Sequence, residues 1–467
     1  MLSDNTFGLQ FCFWAAFSSN KIEVGNVYVV MNGTIKVMGG NKLQGSVVPI
    51  ANKNSLVAVL PACILSDETI IYRNVPESTD VVKILEMLRL LGAGVDDSDF
   101  GNLKINCKNI SSYRVDPVLG GQIRASILFV GPLLARFGRA EVPLPGGCVL
   151  GKRAISAHID AFQKAGVKVE IKDGFAEFTA PERLSKEYRI WQVEASVTST
   201  ENVSMYAAGI SSEVTVIDAA SEPHVCDLVA MLENMGARIE GSGSNRLKIT
   251  GRSKLGPAVF NPRPDFVDIA GYIVASAITN GDILIKGGNI PDVVDGLLLW
   301  FEKFNVEVLR RGKDLIARGF YKNSAGIVDR GFPLAGDSLP KFVPRPWPGF
   351  PVDVLPVIAI LACKSYGRVL LQNWMYESGL EFVKDLNDMG ANIFICDPQR
   401  VIVEGPIKFK GGEVFSPGVI QACMAIFLAS LADPVVTTIH GIDILKRRNP
   451  HLFDIYKDLG ANIEILS

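Results

Sequence analysis

Cys148 closes the run Leu144-Pro145-Gly146-Gly147-Cys148, with Lys152 and Arg153 a few residues further on. Two glycines remove side-chain bulk and admit unusual backbone angles, so the thiol can ride on a mobile loop. The neighbouring cations favour the thiolate, which is the nucleophilic form. A free cysteine is also a common buried apolar filler, and the residue types alone leave both readings open. Asp353, in Gly349-Phe350-Pro351-Val352-Asp353, stands before the apolar run Val354–Ala362. A carboxylate there can take a proton from a hydroxyl, cap the N-terminus of a helix, or do both.

Metal chemistry finds little support. The chain has eight cysteines and four histidines, and no two cysteines form a C-x-x-C pair, so no zinc or other metal site is expected. Scattered free thiols in a chain of 467 residues point to a reducing compartment, and the protein is expected to be cytoplasmic. A net charge of −2 without a Lys/Arg block argues against nucleic acid and membrane partners. The aromatic, apolar stretch Phe7–Phe17 is too short for a bilayer span, which needs roughly 20 residues, and no basic residue precedes it. Residues 1–30 are read as a disordered extension, or as sequence upstream of a start at Met31.

The elements that must position these groups repeat along the chain. An amphipathic helix ending in apolar-Gly-apolar, followed by a strand, occurs at Leu91-Gly92-Ala93, Ala165-Gly166-Val167, Met235-Gly236-Ala237, Met389-Gly390-Ala391 and Leu459-Gly460-Ala461, with a degenerate copy at Phe304-Asn305-Val306. The spacing is about 70 residues, stretched to about 85 between the fourth and fifth copies in chain order. Each Gly, or Asn305, falls where a helix takes a left-handed C-cap. Val81, Ile84, Leu85, Met87, Leu88 and Leu91 form the apolar stripe of the first helix. Strands at Val214–Ile217 and Gly367–Leu371 precede two of the others. The pattern predicts an α/β protein of six units in two similar domains, three units in each. A ligand site is favoured in the cleft between such domains.

Particular stretches add to this. Met38-Gly39-Gly40-Asn41-Lys42-Leu43-Gln44-Gly45, Ala51-Asn52-Lys53-Asn54-Ser55, Arg124-Ala125-Ser126-Ile127 and Leu144 to Arg153 resemble the UDP-N-acetylglucosamine enolpyruvyl transferases, within the wider EPSP synthase superfamily. So do Ser196 to Asn202 and Ala219 to Pro223. The resemblance runs from about residue 32 to the end and is strongest before residue 260. It implies two domains, each an inside-out α/β barrel: a continuous one at 53–263 carrying the Cys148 loop, and a split one formed by 31–52 plus 264–467. The crossings are expected near Lys53 and Asn261-Pro262-Arg263-Pro264.

The resemblance also implies a reaction, transfer of the enolpyruvyl group of phosphoenolpyruvate to a hydroxyl of a uridine nucleotide sugar. The positions matching Lys53, Arg124, Arg153 and Arg447 lie at the substrate cleft, and all are basic here. Arginine's planar fork suits phosphate and carboxylate oxygens. The resemblance gives Cys148 the role of acid or of attachment point for phosphoenolpyruvate, and makes it the target of fosfomycin. Asp353 matches the proposed base. Arg153, Ala154, Ile155, Ser156 and Ala157, with Glu194, Ala195, Ser196 and Val197, match segments that hold the uridine nucleotide. Asn54 matches the residue beside the reacting hydroxyl, and Met375 a position lining the sugar pocket. No cofactor is implied, the partners are the two small-molecule substrates, and a monomer is expected.

The chain departs from the family's pattern in places. Val419-Ile420-Gln421 replaces Asp-Leu-Arg, Glu377-Ser378-Gly379 replaces Glu-Asn-Arg, Pro264-Asp265-Phe266 replaces Pro-Asp-Arg, and Ala154 replaces a proline. Lys446 and Arg448 flank Arg447. These losses bear on the acceptor, so UMP, as used in nucleoside antibiotic assembly, is a second acceptor to consider, and a non-catalytic nucleotide-binding protein is a third reading. The shikimate-phosphate branch ranks lower, because it is not expected to carry a cysteine in this loop.

Overall fold

The computed structural model describes residues 33–144, 155–320, 326, 339–376 and 378–466, together with the short strands Lys21–Val24 and Val27–Val30, which pair antiparallel. Within residues 1–30, only those two strands are described.

Six sheets share one strand plan. In the first, Val259–Phe260 runs parallel to Thr69–Arg73, which pairs antiparallel with Asn102–Asn106, and that with the edge strand Gly94–Asp96. The same order recurs in Glu187–Trp191, Glu213–Ile217, Arg246–Thr250 and Arg238–Glu240. It recurs in Gln44–Val47, Asp282–Ile285, Asp314–Phe320 and Val306–Arg311. Lys341–Phe342, Gly367–Gln372, Arg400–Gly405 and Ile393–Asp397 follow it, as do Gly412–Phe415, Val436–His440, Thr34–Met38 and Asn462–Leu466. The sheet of Arg139–Pro143, Phe175–Thr179 and Lys168–Lys172 has three strands, its parallel partner reduced to one bridge between Arg114 and Glu141. All of these sheets are open.

The strand that follows each glycine-ended helix is an edge strand in its sheet. The cap residues Gly92, Gly166, Gly236, Asn305, Gly390 and Gly460 all have positive φ, between 59° and 108°. There a side chain carrying Cβ is strained and glycine is not, so the recurring glycine answers to a backbone requirement.

Buried apolar side chains form two separate cores. One draws on Leu56 to Phe260, the other on Ile35 to Val47 together with Phe266 to Ile463. At the centre of the second lie Phe266–Ile278, Leu355–Cys363 and Ile420–Ala432, which pack on one another. The first two are buried along their whole length. Their sequences are apolar nearly all round, as helices enclosed by protein are, with Asp268 the one charged exception. The sheets around them alternate buried and exposed positions, as in Thr34–Met38 and Arg246–Thr250. Met38-Gly39-Gly40 gains a packing reason, because a Cβ on Gly39 would overlap the carbonyls of Ser430 and Asp433 at the end of Ile420–Ala432.

The chain passes between the cores twice, and the two passages pair with each other. Asn52 N donates to Arg263 O at 2.8 Å, and Asp265 N to Ile50 O at 2.8 Å. Residues distant in sequence are thereby set side by side at the seam.

Candidate active site

Lys53 begins the helix Lys53–Ala62, whose cap is the buried Asn52, accepting from the backbone N–H of Asn54 and Ser55. The cap fixes the first turn, so Lys53 and Asn54 leave it in set directions. Ser55 Oγ donates to Asp227 Oδ2 at 2.5 Å, and Arg263 Nε to Asp227 Oδ1 at 2.5 Å. This clamp ties the first turn to the helix Pro223–Asn234 and to the returning passage of the chain.

Lys53 Nζ lies 2.6 Å from Asp80 Oδ2, and Arg447 Nη2 lies 3.2 Å from Asp80 Oδ1. Asp80 is 5% exposed, and it belongs to the helix Thr79–Leu91 of one core, whereas Arg447 ends the 3₁₀ turn Ile442–Arg447 of the other. Burial pushes the Asp80 carboxyl up, and the Lys53 and Arg447 charges pull it below its ordinary value. Two cations from opposite ends of the chain therefore share one buried carboxylate. Among the described residues this is where Lys53 and Arg447 meet.

Arg124 opens the 3₁₀ helix Arg124–Phe129, which packs on Lys53–Ala62. Near it, His158 is buried, its Nε2 3.0 Å from Thr198 Oγ1 and its Nδ1 3.2 Å from Asn202 Nδ2. Burial, then the Arg124 charge, hold the imidazole down at about 3, so it is neutral at physiological pH. The contact joins the segment Ile155-Ser156-Ala157 to Glu194-Ala195-Ser196-Val197 at the adjacent starts of two helices, and Ser199 Oγ donates to Ala157 O at 3.2 Å. Ile155 and Ala157 are buried, while Ser156 and Glu194 are exposed. The structure thus brings the two nucleotide-matching segments together. Cys148, Arg153 and Ala154, with the rest of the Pro-Gly-Gly-Cys loop, lie outside the described residues.

Asp353 does not occupy the cap position that was one of its possible readings. It sits inside the 3₁₀ turn Val352–Val354, and Val354 precedes the helix Leu355–Cys363. Pro356 near the helix start explains the shift, since proline lacks an N–H for a cap to satisfy. Asp353 is half-buried and lines a cavity of about 270 Å³ shared with Asn373, Tyr376, Gly379 and Gln421. Met375 adjoins it, its N–H donating to Asn373 Oδ1 at 3.2 Å. The cavity therefore contains Gly379 and Gln421, the two positions at which the resemblance implied arginine. Phe266, at the third such position, is buried against Trp347 at a ring separation of 6.1 Å.

Other groups were not expected from sequence. Arg448 donates through Nε and Nη2 to Asp265 Oδ2 at 2.9 and 2.5 Å, and Asp265 is 1% exposed. Asp268, beside them, accepts from Ile50 N at 3.1 Å, and burial followed by the Asp265 charge raises it to about 7 against the pull of Arg448. Across the seam, Ser221 Oγ donates to Trp347 O at 2.6 Å. Burial raises the nearby Glu222 carboxyl despite its backbone hydrogen bonds, and the Asp353 charge adds to the rise. The sequence signal for Asp80 was only an acid in the first turn of a helix, which reads as ordinary dipole compensation. Among the described residues no group of His, Cys, Asp and Glu could hold a metal, and no helix is long and apolar enough to cross a membrane.

A family model described as EPSP synthase (3-phosphoshikimate 1-carboxyvinyltransferase) matches residues 37–456. The chain is 35% identical over 428 residues to the UDP-N-acetylglucosamine 1-carboxyvinyltransferase of Bradyrhizobium diazoefficiens, covering 92% of this chain and 97% of that one. To the enzyme of the same name from Borreliella burgdorferi it is 36% identical over 435 residues, covering 92% and 98%. Among solved structures, the enolpyruvyl transferase NikO from Streptomyces tendae matches with a TM-score of 0.81 at 21% identity, covering 93% and 98%. EPSP synthase from Acinetobacter baumannii matches at 0.71 and 18% identity, covering 93% and 100%. At these identities the two structural likenesses speak to fold.

Proposed function

The chain belongs to the EPSP synthase family, and from that premise we propose that it transfers the enolpyruvyl group of phosphoenolpyruvate to the 3-hydroxyl of UDP-N-acetylglucosamine, releasing phosphate, the first committed step of peptidoglycan synthesis. The observation that carries this reading is the convergence of Lys53 and Arg447 on Asp80, whose partner Arg447 is 367 residues away. A donor with a phosphate and a carboxylate needs several cations in one place, held there before it arrives. The full-length identity to enzymes of that name supports the acceptor.

In this reading Lys53, Arg124, Arg153 and Arg447 hold the donor's anionic groups. Asp353 takes the proton of the acceptor hydroxyl as its oxygen bonds to C2. C3 gains a proton, and Cys148 serves as its acid or as an attachment point. The resulting tetrahedral adduct loses that C3 proton as its C2–O bond to phosphate breaks, restoring the double bond. Asn54 lies beside the reacting hydroxyl, residues 153–157 and 194–197 hold the uridine nucleotide, and Met375 lines the sugar pocket. Holding both substrates together with charge already compensated lowers the barrier.

The two cores and the common strand plan of the six sheets support two domains, 31–52 plus 264–467 and 53–263, each an inside-out α/β barrel of three units, with residues 1–30 an extension outside them. The reading makes the protein a cytoplasmic monomer without a cofactor. The replacement of arginines at Gly379 and Gln421 favours a second reading, UMP as acceptor.

Phosphate release from phosphoenolpyruvate tests this, with UDP-N-acetylglucosamine and UMP as separate acceptors, in wild type and Cys148→Ala. Release with the sugar nucleotide, lost or strongly reduced in the variant, is expected. Release with UMP alone moves the protein to the second reading. Release with neither overturns both.

A further inference from the structure

Arg448 is anchored on one carboxylate and shares a small cavity with another, the candidate base. Its Nε and Nη2 both donate to Asp265 Oδ2, at 2.9 and 2.5 Å, and its side chain is 16% exposed. Asp265 Oδ1 accepts from Val267 N at 2.9 Å as the cap of Phe266–Ile278, so the anchor is itself fixed. Arg448 then lines a cavity of about 20 Å³ together with Asp353, Asp268, Gln421 and Asn449. Asn449 is 2% exposed, its Oδ1 accepts from His451 N at 3.0 Å, and its Nδ2 has no partner among the described residues. A space of that size holds about one water molecule and is too small for a phosphate, a carboxylate or a sugar. Its polar groups therefore act on the reaction through Asp353 and not by holding substrate.

The charges around Asp353 single out Arg448. Asp268 lines the same small cavity, and burial followed by the Asp265 charge keeps it protonated up to about 7, so below that pH it makes little claim on the guanidinium. Across the seam stands Glu222, whose carboxyl burial raises and the Asp353 charge raises further. Glu381, Lys384 and Asp385 line the larger cavity, and burial, then Asp388, raises Asp385 to about 6. Arg345 in the preceding loop, Glu381 and Lys384 are exposed, so water and salt screen them. Leu355–Cys363 and Ile420–Ala432, which also pack there, carry no Asp, Glu, Lys, Arg or His. Next to Arg448 in sequence, Lys446 pairs with Asp443 and Arg447 with Asp80. Burial lowers Arg448, and the charges of Asp265, then Asp268 and Asp353, raise it above its ordinary value.

We infer that Arg448 is a positioning residue for Asp353: anchored on Asp265, its guanidinium stands across the small cavity from the base and keeps that carboxylate ionised, ready to take the acceptor's proton. Arg448 itself exchanges no proton and touches neither substrate. This rests on Asp353 being the base in the function proposed above, and it adds what sets the charge of that base.

Arg448→Gln keeps a donor for Asp265 Oδ2 and removes the charge. A carboxylate that loses a nearby cation is harder to ionise, so the acidic limb of kcat/KM for UDP-N-acetylglucosamine, at saturating phosphoenolpyruvate, is expected to move up by about one pH unit. Below the limb the rate falls about tenfold, and on the plateau above it the rate stays within about twofold of wild type. Arg448→Lys restores the charge and is expected to return the limb to its wild-type position. Arg448→Gln combined with Asp265→Asn removes the ion pair whole, so no buried charge is left unpaired. It is expected to show a shift in the same direction, because Arg448 and not Asp265 lines the cavity with Asp353. A merely structural role would lower the rate equally at every pH, and that result, or a limb unmoved in both charge-removing variants, overturns the inference. Asp353→Asn, carried through the same titration, separates this from the reading it rests on. A wild-type rate there removes Asp353 as base and this inference with it. A strongly reduced rate there, with no shift in the Arg448 variants, overturns the role of Arg448 alone.

Discussion

Two regions flank the seam and handle charge in opposite ways. On one side, Lys53 and Arg447 converge on the buried Asp80. On the other, Asp353 shares a cavity with an amide, further carboxylates and one lysine. The first region gathers positive charge ahead of any substrate, with a carboxylate holding the cations in place meanwhile. The second is lined by hydrogen-bonding groups, with Gly379 and Gln421 at positions where the resemblance leads one to expect arginine. On the function proposed above, the anionic donor and the acceptor meet separate sets of residues.

The largest expected effect tests the chemistry between these regions. Asp353→Asn keeps the shape of the side chain and removes its basicity. It is expected to lower kcat by about 10²- to 10⁴-fold, the usual worth of a positioned general base, with the KM of each substrate little changed. A variant with wild-type kcat would remove Asp353 from the reaction. Next in size are Lys53→Ala and Arg447→Ala, each expected to lower kcat/KM for phosphoenolpyruvate by about 10²- to 10³-fold. Steady-state kinetics with each substrate varied in turn decides the matter. If the acceptor's KM rises more than the donor's, the division of labour between the two regions is wrong.

Much of the frame could be read from the residues. The recurring helix-Gly-strand pattern located six positions that adopt positive φ, because only a left-handed cap explains a glycine at that point of an amphipathic helix. The strands expected at Val214–Ile217 and Gly367–Leu371 lie within observed strands, since alternation is a local property. The site was legible only as a set of positions. Arg447 and Asp80 come together through tertiary structure, and nothing local to Thr79–Leu91 marks Asp80 as a meeting point. At Gly379 the resemblance implied an arginine, and only the structure shows that the amide of Asn373 stands where a side chain would begin. Of the readings open for Asp353, the cap fails, because a proline at the start of the following helix altered which residue occupies that position.

A smaller effect concerns the seam itself. Asp268 is raised to about 7, largely by burial, from an ordinary value of about 3.9. Between those values the folded chain keeps a proton that the unfolded chain has lost. Its contribution to stability is therefore complete below about pH 4 and disappears as pH rises through about 7. Asp268→Asn stays neutral throughout and is expected to flatten this decline. Urea midpoints at pH 5 and pH 8 make the check, and an equal decline in variant and wild type would show that Asp268 is ionised throughout that range in the folded protein.

The smallest effect asks whether the two cores, so different at the site, are built alike. Gly166 has φ 79° and Gly460 φ 103°, and each caps a helix in a different core. A Cβ would meet nothing closer than 3.7 Å at Gly166 and 3.5 Å at Gly460, ordinary contact distances. The cost of alanine at either position is then conformational alone, about 1–2 kcal/mol for a left-handed residue with a side chain. Gly166→Ala and Gly460→Ala should each lose about that much stability in denaturant titrations, with KM and kcat unchanged for both substrates. A penalty confined to one of them would mean that the repeated cap does different work in the two cores, and that their likeness stops at strand order.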